Sequence, residues 1–140
     1  MKIEVYTMGC SDKAKASYGA VLTSVDDLGR DATYESSKLV GEYTKNQADV
    51  IAVIMALRCV KPEFTGASII LNTPSGYASQ VLDKNDEGKW LVNPTKNVDL
   101  VNEVRAAISA FPGIKVQRAD TKAPQFLRSS ELALTCLSAS

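Results

Sequence analysis

Hydrophobic and polar positions alternate in three stretches near the start of the chain. In Lys2–Met8 every second side chain, beginning with Ile3, shares one face, which is the period of a β-strand. Ser17–Ser24 and the more polar Asp31–Val40 are predicted strands of the same kind, separated by short polar turns. Three such strands in a row favour an antiparallel meander.

The middle of the chain predicts a helix followed by a buried strand. Thr44 and Gln47 fit a capping box, in which each side chain accepts a hydrogen bond from the other residue's backbone N–H. The helix that begins there is predicted to run to about Val60, because Pro62 cannot continue it. Ser68–Thr73 is a continuous apolar run, which is typical of a buried parallel strand.

The remaining pattern completes an α/β fold (α+β in some schemes), with a five-stranded mixed sheet flanked by helices in the order βββαβαβα. The length predicts a single domain over residues 1–140. A polar loop over residues 83–96 holds the only tryptophan, Trp90. The other predicted elements are a short helix over Ser75–Leu82, an amphipathic helix over Asn97–Phe111, a strand over Ile114–Ala119 and a final helix over Pro124–Leu137.

The composition excludes several kinds of catalytic and metal site. The 16 basic and 16 acidic side chains cancel, so any binding to nucleic acid must come from a local patch. The chain contains no histidine, which excludes Ser-His-Asp and Cys-His catalysis and histidine-based zinc sites. We expect a cytoplasmic protein with reduced thiols and no membrane association, because the start lacks a targeting pattern and the longest apolar run, Val50–Leu57, is short.

One acidic residue does not suit its surroundings. Nine of the ten residues from Ala48 to Leu57 are apolar, and the exception is Asp49. A carboxylate in so apolar a helix is costly unless it is paired, hydrogen-bonded or facing a wet cleft. Its neighbours at i+3 and i+4 are Ala52 and Val53, so we expect no cation of the same helix to pair with it. Either backbone N–H groups or waters satisfy Asp49, or it faces a functional site.

Taken in order, several segments resemble the ribonuclease H family of bacteria and retroviral polymerases. Thr7–Cys10 stands where the family has Thr-Asp-Gly-Ser, and Tyr18–Ala20 matches its Gly-Tyr-Gly-Ala strand. Thr44–Asp49 is similar to Thr-Asn-Asn-Arg-Met-Glu, Lys96–Leu100 to Lys-Asn-Val-Asp-Leu, and Arg128–Ala133 to Arg-x-Asp-Glu-Leu-Ala. The match runs over nearly the whole chain and implies the ribonuclease H fold.

The resemblance also implies a metal site, because the family uses four acidic side chains to hold two Mg²⁺ or Mn²⁺ ions that activate water. The corresponding positions here are Met8, Asp49, Pro74 and Ser130. A thioether, a pyrrolidine ring and a hydroxyl are poor ligands for Mg²⁺. We therefore expect no metal cofactor and no enzymatic activity. The resemblance then predicts a pseudoenzyme related to RNA–DNA hybrid endoribonucleases.

Positions that correspond to the family's contacts with the sugar-phosphate backbone are Gly9, Thr44, Asn46 and Tyr77. Thr44 is equally explained as a helix cap and Tyr77 as a core aromatic, whereas an asparagine in a first turn does little for a helix. The resemblance thus predicts a catalytically inactive module that binds RNA–DNA hybrid or duplex nucleic acid weakly and with strong salt dependence.

Two alternatives stay open. The chain is a protein-interaction or scaffold domain if Trp90 and Leu91 form an exposed anchor for a protein partner. The least favoured alternative is an active metal-dependent endonuclease whose site is rebuilt from Asp12, Asp120 or Glu131.

Overall fold

A five-stranded mixed sheet forms the centre of the computed structural model, which describes residues 1–13, 15–64 and 66–139. The strands are β1 (Lys2–Asp12), β2 (Lys15–Val25), β3 (Asp31–Gly41), β4 (Ser68–Thr73) and β5 (Lys115–Arg118). Their spatial order is β3-β2-β1-β4-β5; the first three pair antiparallel, and β4 is parallel to both β1 and β5. The predicted fold class, sheet and meander are confirmed.

Helices cover the two faces of the sheet unequally. In the described residues they are α1 (Lys45–Arg58), α2 (Gly76–Val81), α3 (Val98–Ser109) and α4 (Pro124–Ser138). α1 packs on β1 and β2 with α3 against it, whereas α4 packs across β1, β2 and β3. Because α2 and α3 both lie between β4 and β5, the order is βββαβααβα. All four helices were predicted, but the order βββαβαβα counted only one of the two helices between β4 and β5.

Two glycines allow α1 and α4 to touch the strands directly. A Cβ at Gly9 would lie 2.3 Å from the carbonyl carbon of Ala48 in α1, and one at Gly19 would lie 2.1 Å from the carbonyl oxygen of Ser129 in α4. Gly19 pairs with Met8, the strand neighbour of Gly9, and neighbours on a strand face opposite sides. The two helices therefore lie on opposite faces of the sheet, each against main chain.

The first hairpin is longer than predicted. Its ladder continues to the pair Asp12 and Lys15, where the sequence predicts a polar turn over Gly9–Lys15. Backbone pairing continues through small and polar residues whose side chains give no alternating hydrophobic signal. Ala14, in the connection, lies outside the described residues.

The loop that carries Trp90 folds back on the core. Trp90 is half-buried against the core cluster, and Lys84 Nζ and the Arg105 guanidinium lie 4.3 Å and 4.7 Å from the centre of its ring. The prediction of an exposed Trp90 is therefore wrong, although Leu91 beside it is 57% exposed. Binding of a protein partner stays a prediction, but Trp90 no longer supports it as an exposed anchor.

No helix in the described ranges combines the length and the apolar character needed to cross a membrane.

Arg128 joins α4 to the edge strand β3. Its Nε and Nη2 donate to the two carboxylate oxygens of Glu35 at 2.7 Å and 3.0 Å, and its Nη1 donates to Glu131 at 2.6 Å. The hydrogen bonds and charge of Arg128 hold the pKa of Glu35 below its ordinary value of 4.5.

This ion pair predicts a pH-dependent contribution to stability. A carboxyl whose pKa is lower in the folded chain stabilises above its unfolded pKa, and that contribution is lost as the pH falls through the folded pKa. We expect Glu35→Gln to lower the melting temperature slightly at neutral pH, since the pair is exposed. The difference should disappear well below pH 4.5, the unfolded value.

Thermal melts of wild type and Glu35→Gln across this pH range measure the effect. The control is Glu42→Gln, an exposed residue outside the ion pairs found in the described chain. A difference that is the same at every pH would contradict the role given to the Glu35 charge.

Candidate nucleic-acid interface

β4 ends beside the middle of β1, which continues to Asp12. The two strands are in parallel register as far as Tyr6 and Asn72, so the residues that follow emerge side by side. Gly9 brings the start of α1 to the same place. We call this region the strand-end rim, and its members are Met8, Gly9, residues 44–49 and Pro74.

A buried carboxylate is held at the strand-end rim by two donors. Asp49 Oδ1 accepts from the backbone N–H of Gly9 at 3.0 Å and from Lys45 Nζ at 2.8 Å, and the side chain is 5% exposed. The Lys45 ammonium also donates to the carbonyl oxygen of Gly9 and lies 3.9 Å from the Met8 sulfur. Because Lys45 is 51% exposed, the cluster shows an ammonium to solvent and hides the carboxylate.

The prediction that no cation of the same helix pairs with Asp49 is therefore wrong. It considered the neighbours at i+3 and i+4, whereas Lys45 stands at i−4 and its long side chain spans one turn of α1. Asp49 is thus both hydrogen-bonded to backbone and paired with a charge.

Another cation lies at the end of β4. The carbonyl oxygen of Pro74 accepts from Arg118 Nη2 at 2.9 Å, and Arg118 is the exposed last residue of β5. None of the ion pairs found in the described residues includes Arg118. Ser130 is half-buried on α4, beside the fully buried Ser129. Of the four positions that resemble the family's acids, one carries a carboxylate.

A chain of hydrogen bonds links the starts of α1, α2 and α3. The backbone N–H of Thr44 donates to Gln47 Oε1 at 2.9 Å, and the Thr44 hydroxyl accepts from Gln47 N–H at 3.3 Å, so the predicted capping box is present. Gln47 Nε2 then donates to Asn97 Oδ1 at 2.9 Å, and Asn97 Nδ2 donates to the Tyr77 hydroxyl at 3.2 Å. We call these four residues the Thr44–Tyr77 hydrogen-bond chain.

The residues predicted to contact nucleic acid occupy one neighbourhood. Gly9 and Thr44 belong to the strand-end rim, and Tyr77 is joined to it through the hydrogen-bond chain. Asn46 is exposed in the first turn of α1, and its side chain takes part in none of the hydrogen bonds found in the described residues. Their roles in binding stay predictions.

The three acids from which a metal site could be rebuilt make their contacts with residues other than Asp49. Asp12 is exposed at the end of β1, Asp120 accepts from the backbone N–H of Lys122 at 2.9 Å, and Glu131 pairs with Arg128. Among residues 1–13, 15–64 and 66–139, no three histidine, cysteine or acidic residues are grouped so that they could hold a metal ion.

The donor atoms at the strand-end rim do not fit a pair of Mg²⁺ ions. Asp49 Oδ1 already accepts from an ammonium and an N–H group, and Met8 offers only a thioether. The guanidinium of Arg118 adds positive charge beside Pro74, where a divalent cation would require negative charge.

Two titratable groups near the strand-end rim stay neutral at physiological pH. Burial raises the pKa of the Cys10 thiol; the charge of Lys45 lowers it and that of Asp49 raises it. Burial also raises the pKa of Tyr6, with smaller contributions from Glu4 and Asp120.

Sequence reasoning missed three residues of this neighbourhood. Lys45 was readable as the i−4 neighbour of Asp49, and Asn97 as a polar residue at a predicted helix start. Arg118 gave no signal, because its contact with Pro74 joins residues 44 positions apart.

Comparison with solved structures identifies the fold as that of ribonuclease H. RNase H1 from the halophilic archaeon Halobacterium salinarum matches with a TM-score of 0.75 and 23% identity, covering 100% of both chains. The N-terminal RNase H domain of a Mycobacterium tuberculosis protein gives 0.73 and 23%, over 99% of this chain and 94% of that one. LC11-RNase H1, isolated from compost by a metagenomic approach, was solved with an RNA/DNA hybrid and gives 0.77 and 20%, over 98% and 97%.

The predicted ribonuclease H-like fold is confirmed by these matches. No family model and no curated protein matches the sequence. The similarity is therefore carried by the arrangement of elements over the full chain rather than by overall sequence identity.

The same comparison contradicts the prediction that the chain is not an enzyme. Structures that it matches over 94% to 100% of their length include ribonucleases H by name, and nothing in the comparison shows that activity is lost. The pseudoenzyme prediction, drawn from Met8, Pro74 and Ser130, is therefore wrong as a conclusion from the sequence.

Proposed function

We propose that this chain is a nucleic-acid-binding domain of the ribonuclease H family that binds RNA–DNA hybrid at the strand-end rim. The observation that carries the proposal is a pair of cations. The half-exposed Lys45, the first residue of α1, donates to Gly9 in β1, and the exposed Arg118, the last residue of β5, donates to the Pro74 carbonyl that follows β4. The similarity to a ribonuclease H1 solved with an RNA/DNA hybrid supports it.

Local charge favours phosphate at this place. Lys45 and Arg118 each contribute a positive charge, and Asp49, paired with Lys45, contributes a negative charge, on a chain whose total is zero. The exposed Asp120 lies two residues after Arg118. The Asp49 charge is buried under its pair with Lys45, so it repels an approaching phosphate little. This is the local patch that a neutral chain needs in order to attract nucleic acid.

Uncharged groups beside these cations suit the rest of a nucleic-acid backbone. Asn46 offers an amide donor and acceptor in the first turn of α1, next to Lys45. An A-form-like hybrid presents 2′-hydroxyls and phosphates across a wide, shallow minor groove, which side chains read by shape rather than by base sequence. We therefore expect little dependence on base sequence.

Fluorescence anisotropy with a labelled RNA–DNA hybrid, at low salt and with EDTA, tests the proposal. We expect a dissociation constant tighter than about 10⁻⁴ M that weakens steeply as salt is added. Chelation should not abolish binding, because the positive charge comes from side chains. Affinity weaker than this limit would overturn the proposal.

Hydrolysis is measured on the same samples after Mg²⁺ or Mn²⁺ is added. Denaturing gels report cleavage of the RNA strand, and Asp49→Asn shows whether any cleavage depends on the carboxylate at the strand-end rim. Binding and cleavage are thus scored separately.

Removing either cation is expected to weaken binding and reduce its salt dependence. For Lys45→Gln and for Arg118→Gln, the slope of log affinity against log salt should fall by about one, because each loses one phosphate contact. The matched control is Lys2→Gln, an exposed lysine at the opposite end of β1.

Circular dichroism melts confirm that each variant is folded, which matters for Lys45→Gln because it leaves Asp49 without its ion pair. Equal weakening by Lys2→Gln would place the binding surface away from the strand-end rim.

A further inference from the structure

In the Thr44–Tyr77 hydrogen-bond chain, the donor and the acceptor of every hydrogen bond can be assigned in only one way. A backbone N–H can only donate, so the Gln47 atom that faces the Thr44 N–H must be the amide oxygen. The other end of the Gln47 amide is then the NH₂ group, and the Asn97 atom it meets must be the oxygen. Each step follows from the one before, and the starting donor is fixed by the peptide bond.

The same logic fixes the Tyr77 hydroxyl. With its oxygen used by Gln47, Asn97 presents its NH₂ group to Tyr77, and that group can only donate. The Tyr77 oxygen is therefore an acceptor in this contact, and its own proton is left to donate elsewhere. In the described parts of the chain, no protein atom accepts that proton.

The Asn97 backbone adds an independent observation. Its φ is 55°, in the left-handed region that asparagine tolerates better than most residues. Although Asn97 stands at the N-cap position of α3, its side chain makes no capping hydrogen bond there. Instead, both ends of its amide are used between Gln47 and Tyr77.

We propose that Asn97 is a positioning residue that orients the Tyr77 hydroxyl as a donor to an oxygen of the nucleic-acid backbone. The inference rests on the proposed function, because the acceptor is a phosphate or 2′-hydroxyl oxygen of a duplex bound at the strand-end rim. Tyr77 touches the ligand, and Asn97, set by Gln47, decides which way the hydroxyl proton faces.

Asn97→Asp reverses this polarity with little change of shape. An aspartate keeps an oxygen for Gln47 Nε2 and tolerates the positive φ, but its second oxygen can only accept. The Tyr77 hydroxyl must then donate to Asp and not to the ligand. We expect Asn97→Asp and Tyr77→Phe each to weaken hybrid binding about tenfold, the effect of losing one hydrogen bond to a charged or strongly polar oxygen.

A double-mutant cycle separates orientation from the added charge. If Asn97 acts through Tyr77, Asn97→Asp has little further effect in the Tyr77→Phe background. If the new carboxylate simply repels phosphate, the two losses multiply, and that result overturns the positioning role. Thermal melts of all four proteins confirm that the comparison is made between folded chains.

A matched DNA duplex identifies the acceptor. A Tyr77→Phe loss shared by hybrid and DNA duplex assigns the acceptor to a phosphate, and a loss confined to the hybrid assigns it to a 2′-hydroxyl. Either result supports the proposal, whereas unchanged affinity in Tyr77→Phe overturns it while hybrid binding by the wild type stands. A wild-type chain that binds neither duplex would show that the proposed function itself has failed.

Discussion

Replacing Gly9 with alanine is expected to lower the free energy of unfolding by about 3 kcal/mol or more, the upper end of the usual cost of overpacking. The new Cβ would lie 2.3 Å from the carbonyl carbon of Ala48 and 2.4 Å from the amide nitrogen of Asp49. Both atoms belong to the main chain of α1, so no side-chain rotation relieves the clash and the helix must move away from β1. That movement also strains the bond from Gly9 N–H to Asp49.

Urea denaturation and thermal melts measure this loss, and for a chain of this length it corresponds to a melting temperature about 10 °C lower. Gly66→Ala is the matched control, because a Cβ there would meet no atom within 4 Å. It should be neutral or slightly stabilising. Gly19→Ala, whose Cβ would meet α4 at 2.1 Å, should behave like Gly9→Ala. Equal stability of Gly9→Ala and Gly66→Ala would contradict the close packing of α1 on β1.

Asp49→Ala is expected to destabilise the chain by about 3 kcal/mol, since it leaves a buried N–H without an acceptor and removes a bond to a charged group. The N–H is that of Gly9, and the charged group is the Lys45 ammonium. The wild-type carboxylate contributes chiefly by satisfying these donors, because it is nearly inaccessible to water.

Asp49→Asn separates the two contributions. Its amide oxygen still accepts from the Gly9 N–H, so we expect a smaller loss of about 1 kcal/mol from the missing charge. Asp86→Ala, an exposed aspartate in the loop before Trp90, is the control for removing an acid and should change stability by less than about 0.5 kcal/mol. If Asp49→Ala is no less stable than Asp86→Ala, the buried hydrogen bonds at Asp49 contribute nothing.

Features with a local cause were predictable from the sequence. The bounds of β4 agree with the predicted strand Ser68–Thr73, because its apolar run and its flanking residues are all within a few positions. The capping box of Thr44 and Gln47 is equally local and has the predicted bonds. The meander of the first three strands was also predicted from the alternating pattern.

Contacts between distant parts of the chain were not predictable in the same way. The hydrogen bond from Lys45 to Gly9 depends on α1 beginning beside Gly9 in β1, and the one from Arg118 to Pro74 depends on β5 lying beside β4. Neither contact leaves a periodic signal in the sequence. The pairing of Lys45 with Asp49 is different, since one helical turn separates them and a search toward the N-terminus would have found it.

The packing at Trp90 shows how composition alone misleads. A tryptophan within a run of charged and polar residues suggests exposure, and the ring is instead covered by Lys84 and by Arg105, a residue of α3 that the loop meets in space. Arg105 is itself buried and donates to the carbonyl oxygens of Val81 and Val92, which ties the loop to α2. Despite its polar sequence, the loop is therefore held against α2 and α3 by the contacts of Arg105.

The contacts at Gly9 and Gly19 fix the positions of two helices through main-chain atoms. Gly9 and Gly19 allow α1 and α4 to contact the main chain of adjacent strands. The spacing between the helices and these strands is therefore set by main-chain atoms. At the Gly9 contact the Asp49 carboxylate adds a hydrogen bond from the Gly9 N–H, whereas the side chains of Met8 and Ser130 take no part in either close approach. The positions of α1 and α4 therefore depend on main-chain atoms at these two glycines and not on which side chains stand at Met8 and Ser130.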